Sequence, residues 1–217
     1  AGCGTGLLAL AALEAVAPDG VVTGLDISAD ALDELGRLGE ALGQSARLRT
    51  VHGRVERLPF RSAEFDALLE RSVLIYVDDK TRAISEYRRV LCAGGRLSLL
   101  EPINVEARHE YHFDLAPVKE LHERVQRGAR RAARRQSSML DFVADDLVQM
   151  LQAEGYKEVR CEQAIDEWSI TSGDEWRRRL DAKPNPLARS HLDLLRRTLG
   201  TELDSYVSRM AEGVDRG

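Results

Sequence analysis

Gly2, Gly4 and Gly6 alternate with small residues at the head of the chain, in the run Ala-Gly-Cys-Gly-Thr-Gly. Three residues without Cβ let the backbone turn through positive φ and let a ligand come close to it. An Ala- and Leu-rich run with strong helix propensity follows from Leu7. The free N–H groups at the start of that helix favour an anionic group, phosphate or carboxylate. Asp26 closes a short β-prone run about 20 residues beyond the last of these glycines, where an acid in an open α/β sheet accepts from ribose hydroxyls. Nicotinamide-binding domains share both features. Their fingerprint wants a third glycine three residues after the second. Counted from Gly2 and Gly4 that position is Leu7, and counted from Gly4 and Gly6 it is Ala9, which a looser fingerprint tolerates. The loop alone therefore leaves both kinds of nucleotide open.

The elements that must hold these residues alternate between two periods. Short apolar runs near 21–25, 48–52, 65–69 and 96–100 read as strands, and Tyr156 to Glu162 as a fifth. Between them Ala29 to Leu42, with Ser28 as its cap, and Thr81 to Leu91 read as amphipathic helices. Strands alternating with helices predict an α/β fold, a doubly wound and mostly parallel sheet with helices on both faces. After Pro102 the chain turns charged, with six arginines between Arg124 and Arg135. Asp141 to Glu154 is a further amphipathic helix, and residues 173–213 are mostly helical around Pro184-Asn185-Pro186. The expected organisation is one domain: a ligand-binding core over 1–102, a helical insertion over 103–140, the rest of the core over 141–172 and a helical tail over 173–217.

Composition narrows the partners. Hydrophobic residues make up 43% and charged residues 31% of 217 residues, the balance of a globular chain with a sizeable core. A net charge of -5 and the lack of aromatics among the arginines argue against nucleic acid. No apolar run reaches the roughly 18–20 residues that span a bilayer. The three cysteines, Cys3, Cys92 and Cys161, have no metal-type spacing and fit a reducing cytoplasm. His109 and His112, three apart around Glu110, would share a helix face, but no metal is expected, because their spacing to His122 matches no metal motif.

The motifs taken in order resemble a known family. Gly2-Cys3-Gly4-Thr5-Gly6 resembles the glycine loop of class I S-adenosylmethionine-dependent methyltransferases, and Gly24-Leu25-Asp26-Ile27-Ser28 their ribose-binding strand end. Gly53 to Phe60 followed by Phe65-Asp66 resembles the segments that flank the adenine. Val90 to Leu97, with Glu101-Pro102 beyond, resembles the approach to their fifth strand, as in quinone-biosynthesis members. The resemblance covers residues 1–102 and implies a Rossmann-like fold, S-adenosylmethionine as cofactor and a small-molecule acceptor. It places Gly2, Cys3, Gly4 and Gly6 at the methionine moiety, Asp26 at the ribose, Ile27 on the adenine, Arg54 and Val55 at the adenine edge, and Glu70 and Arg71 beside the transferred methyl. Arg71, His109 and His112 are the candidates on the acceptor side. Arg54 departs from the family pattern, which often has Asp there; Arg has only donors. The family's first strand runs straight into the glycine loop, and only Ala1 stands for it here. The resemblance therefore implies a piece of a longer gene product, with the first strand, and at the other end a last antiparallel strand, outside it. A cofactor-binding domain without transfer activity and a nicotinamide-dependent oxidoreductase are the competing expectations.

Overall fold

The structure, a computed structural model, describes residues 1–16, 18–106, 110–133, 138–165, 167, 169–182 and 190–216. The chain divides into two compact units, Ala1–Glu106 with Ser138–Glu162, and Ala107–Ser137 with Gln163–Gly217. The sequence predicts one domain with an insertion and a tail; the structure gathers the insertion and the tail into a helical unit with its own apolar core.

The first unit is an α/β fold of Rossmann-like character. Its elements are α1 (Leu7–Ala15), β1 (Val22–Asp26), α2 (Ala29–Ala41), β2 (Leu48–His52), β3 (Phe65–Arg71), α3 (Lys80–Val90), β4 (Leu91–Leu100) and, after the second unit's first segment, α5 (Ala144–Ala153). β1 pairs with β2 and β3 with β4, both in parallel. β1 and β3 share no ladder. The segment Ala1–Cys3 bonds to both: Ala1 N donates to Leu69 O (2.7 Å) and Cys3 N to Leu25 O (2.9 Å).

Each helix is set by local chemistry. Ser28 caps α2 by accepting from Ala31 N, and Asp30 lies in the first turn, where a negative charge suits the helix dipole. Ser28→Ala is expected to lower the unfolding free energy by about 1 kcal/mol in a urea titration. Asp79 caps α3 the same way through Arg82 N. Ala9, Leu13, Leu35 and Leu48 form a small core that joins α1 and α2 to β2. The larger core joins Leu68, Leu74, Ile84, Tyr87, Val90 and Leu91 to Phe142 and Leu147. Lys80 fastens these parts: buried, it donates to Val77 O, Ser138 O and Asp141.

Two elements differ from expectation. β4 spans Leu91–Leu100 instead of starting near residue 96, because Phe65 pairs with Leu91 before the register shifts ahead of Ala67. Tyr156 to Glu162 is no strand: Glu158 has φ 54, and the run joins no ladder with the described residues. A β-prone run needs a partner for its N–H and C=O groups.

The second unit holds α4 (Lys119–Ala133), α6 (Gly173–Asp181), α7 (His191–Leu199) and α8 (Leu203–Arg216). Val118, Leu180, Leu195, Leu199, Leu203, Tyr206 and Met210 are its core. His122 Nδ1 lies 3.0 Å from Tyr206 Oη inside it, and Arg124 pairs with Glu202. The sequence's arginine stretch thus begins within α4. Arg134 and Arg135, like Pro184-Asn185-Pro186 and Trp168, lie outside the described residues. Among the described residues no helix is long and apolar enough to cross a membrane.

Candidate functional site

The carboxyl ends of parallel strands are where an open α/β sheet binds ligands, and the glycine loop lies at that edge. Its geometry comes from Asp26, the last residue of β1. Asp26 Oδ2 accepts from Gly4 N (2.8 Å) and Oδ1 from Ser28 N (2.9 Å). One carboxylate therefore fixes the loop and the entry to α2 together. Gly6 N closes the turn on Cys3 O (2.9 Å), and Leu10 N takes Gly6 O to start α1.

Two glycines differ in what surrounds them. Gly2 has φ 60, and a Cβ there would fall 2.2 Å from Val73 Cγ2, so this position is closed by the protein itself. Gly4 has φ 51 and no heavy atom within 4 Å of where its Cβ would be. The loop is packed at Gly2 and open at Gly4.

The other resemblance-derived residues divide by burial. Ile27 follows Asp26 with 43% of its surface exposed, an apolar patch at the strand end. Arg54 is exposed and pairs with Glu56 (2.7 Å), whereas Val55 is buried in the main core. His52 Nε2 lies 3.0 Å from Ile27 O and Gly53 N donates to Asp26 O (3.0 Å), so the ends of β1 and β2 are tied together. Burial and the Asp26 charge push the Cys3 thiol up to about 11, so at neutral pH it is a neutral thiol and a poor nucleophile.

At the ends of β3 and β4 the residues part company. Arg71 is exposed. Glu70 is 2% exposed and turned into the core, where Tyr87 Oη donates to its Oε2. Glu101, just past β4, accepts from three consecutive backbone N–H groups: Val73 (2.7 Å) and Leu74 (3.1 Å) on Oε1, Ile75 (3.1 Å) on Oε2. In the sequence Glu101 stands out only as part of Glu101-Pro102; an acid directly after an apolar strand is the signal that marks it.

Glu86 is the other residue that sequence reading missed. It is buried on α3, accepts from Leu58 N (2.8 Å) and bonds Arg89 through Nε and Nη2. Arg89 in turn donates to Leu58 O and Phe60 O, so the Leu58-Pro59-Phe60 loop is held by one ion pair. Of the acceptor-side candidates, His109 lies outside the described residues. His112 is exposed in a bend of the second unit and not on a helix face; Asp114, accepting from Ala116 N, starts the next turn instead. Among the described residues no three His, Cys, Asp or Glu side chains converge as a metal site.

Comparison with known proteins covers this same stretch. A family described as a methyltransferase domain matches residues 1–99. Demethylmenaquinone methyltransferase of Staphylococcus aureus is 38% identical over 99 residues, 46% of this chain and 40% of that protein. The chain thus spans about two fifths of the length of the curated relatives it matches. Two solved structures resemble the fold: a [4+2]-cyclase, SpnF (TM-score 0.54, 22% identity, 98% of this chain and 66% of that one), and an S-adenosylmethionine-dependent methyltransferase from Aquifex aeolicus (TM-score 0.52, 12% identity, 71% and 68%). At these identities the likeness is one of fold.

Proposed function

We propose, on the premise that residues 1–99 match a methyltransferase domain, that this chain binds S-adenosylmethionine and takes part in methyl transfer to a small-molecule acceptor. The observation that carries the reading is the Asp26 carboxylate, which orders the glycine loop from the carboxyl edge of the sheet. Each of its oxygens accepts one backbone N–H, and a carboxylate has about four acceptor sites. Asp26 therefore has capacity left for hydroxyl donors such as those of a ribose. The open side of Gly4 gives a ligand access to the loop backbone, and Ile27 offers an apolar surface for a base. These residues fit the cofactor, whose sulfonium supplies an activated methyl and its own leaving group.

The chain's own work is alignment and protection. Gly2, Cys3, Gly4 and Gly6 shape the loop, Asp26 and Ile27 take the nucleoside, and Arg54 and Val55 lie beyond β2 where its base edge would rest. Glu70 and Arg71 end β3; Arg71 is the exposed one of the two. The neutral Cys3 thiol is no competitor for the methyl group, since thiolate and not thiol is the nucleophile. Arg71 is the residue we assign to the acceptor side, where alignment contributes most of the rate and a base removes a proton if the acceptor carries one. Cys3, Cys92 and Cys161 are free thiols, which fits a reducing cytoplasm.

Calorimetric titration of the whole chain with S-adenosylhomocysteine, with NAD as competitor, tests this. Micromolar binding that NAD does not displace is expected. Gly4→Ala should weaken it about tenfold or more by filling the open side of the loop, while Gly2→Ala should lower the melting temperature more, because its Cβ collides with Val73. A folded chain that binds NAD in place of S-adenosylhomocysteine, or neither, refutes the reading.

A further inference from the structure

β3 and β4 are parallel neighbours in which Glu70 stands opposite Leu99. Side chains two apart on a strand share a face, so Leu99 and Glu101 point to the same side of the sheet as Glu70. The register thus places two carboxyl groups on one covered face at the ends of adjacent strands. Glu70 Oε2 is taken by Tyr87, but Glu70 Oε1 is buried with no hydrogen-bond partner among the described residues. A buried acceptor left unpaired loses its hydration without a replacement bond. Glu101 has its two oxygens turned to the backbone of 73–75, and its charge bears on Glu70. Two ionised carboxylates cannot hydrogen-bond to each other, because both are acceptors only.

We infer that Glu70 carries a proton on Oε1 and donates it to the Glu101 carboxylate, so that one shared proton ties the ends of β3 and β4 to the turn at 72–76. Glu101 is then a positioning residue: it holds the N–H groups of Val73, Leu74 and Ile75, and Val73 is the residue that closes the glycine loop at Gly2. Loss of the shared proton places a second negative charge beside Glu101 in a dry site, which loosens the turn and with it the wall of the loop. This goes beyond the methyl-transfer reading and does not rest on it.

The titratable side chains that face Glu70 are Tyr87 from α3 and Glu101 from beyond β4, with Glu56 acting on Tyr87 in turn. Burial first, then the Glu101 charge, raises the Glu70 carboxyl well above its usual range; the Tyr87 bond pulls the other way. A carboxyl whose value is raised on folding binds its proton more tightly in the folded state. Its contribution to stability is full below the ordinary glutamate range and is lost as pH rises through the raised value.

The test is a carbon-13 NMR titration of the glutamate carboxyls in the whole chain, with amide exchange read at Val73, Leu74 and Ile75. Glu70 is expected to keep the shift of a neutral acid while the exposed glutamates ionise, and exchange at 73–75 should quicken only when Glu70 itself titrates. In Glu101→Gln, Glu70 should titrate closer to the exposed glutamates, because the neighbouring charge is gone. Glu70→Gln, whose amide N–H replaces the acid proton, should fold and abolish the pH dependence of exchange at 73–75. Glu101→Ala should speed that exchange about tenfold or more through loss of its charge-assisted bonds. Titration of Glu70 along with the exposed glutamates overturns the inference, as does a Glu70→Gln chain that keeps the wild-type pH dependence. Should Glu101→Gln fail to fold, the wild-type titration and Glu70→Gln decide between these outcomes.

Discussion

Asp26→Ala will lower the affinity for S-adenosylhomocysteine by about 100-fold or more while the chain remains folded. Two losses combine. The free acceptor sites of the carboxylate disappear, and a hydrogen bond to a charged group is worth about 1.5–3 kcal/mol. The Gly4 N–H and Ser28 N–H also lose their acceptor, so the loop is no longer held in shape before the ligand arrives. Asp26→Asn should fall between: its single amide oxygen can replace one of these acceptors, while its NH₂ faces the other N–H. Calorimetry gives the affinities, and circular dichroism at the same temperature shows that the fold is retained. Unchanged affinity in the alanine variant would mean that Asp26 neither meets the ligand nor is needed to shape the loop for it, and would remove the support on which the methyl-transfer reading stands.

The largest effect on stability is expected at Glu86. Glu86→Ala should cost about 3 kcal/mol or more in a urea titration, since it leaves Leu58 N–H without its acceptor and strips Arg89 of its carboxylate in a site that is largely closed to water. The Leu58-Pro59-Phe60 loop should then become the first place of proteolytic nicking. The pH behaviour has a definite sign. The Arg89 hydrogen bonds hold the Glu86 carboxyl below its ordinary value, with the Leu58 N–H adding to this against the opposing effect of burial. A carboxyl lowered on folding contributes stability above its unfolded value, and that contribution disappears as pH falls through the folded one. Glu86→Gln keeps an acceptor for Leu58 N–H but no charge, so its stability should vary less than the wild type's on the acid side. A variant as acid-sensitive as the wild type would show that other carboxylates carry the acid transition.

Glu86 on α3 and Glu70 on β3 are therefore pushed in opposite directions. Glu86 faces a guanidinium and favours the ionised form; Glu70 faces a phenol and another carboxyl and favours the neutral one. The partner of Glu86 is local, since Arg89 stands one turn along the same helix, whereas the partners of Glu70, Tyr87 and Glu101, come from other elements and only the fold brings them to it.

What the sequence by itself determined is what short-range physics controls. The glycine loop could be read because positive φ and close backbone approach demand residues without Cβ. The strand ending in Asp26, the cap at Ser28 and the alternation of strands and helices could be read because caps and apolar periods act within a few residues. Tertiary structure alone decided the rest. Tyr156 to Glu162 has the composition of a strand but finds no ladder among the described residues, and pairing is supplied by neighbours, not by the segment itself. Glu70 and Arg71 are adjacent, yet one is buried and the other exposed, because successive residues of a strand point to opposite faces and only α3 and the core above β3 say which face is covered. The segments Ala107–Ser137 and Gln163–Gly217 look like an insertion and a tail, but apolar stripes from both meet in a separate core built from Val118, Leu195 and Tyr206. A stripe on a helix states that something must cover it; the sequence does not state what, because the covering residues are distant in the chain and are chosen by the fold.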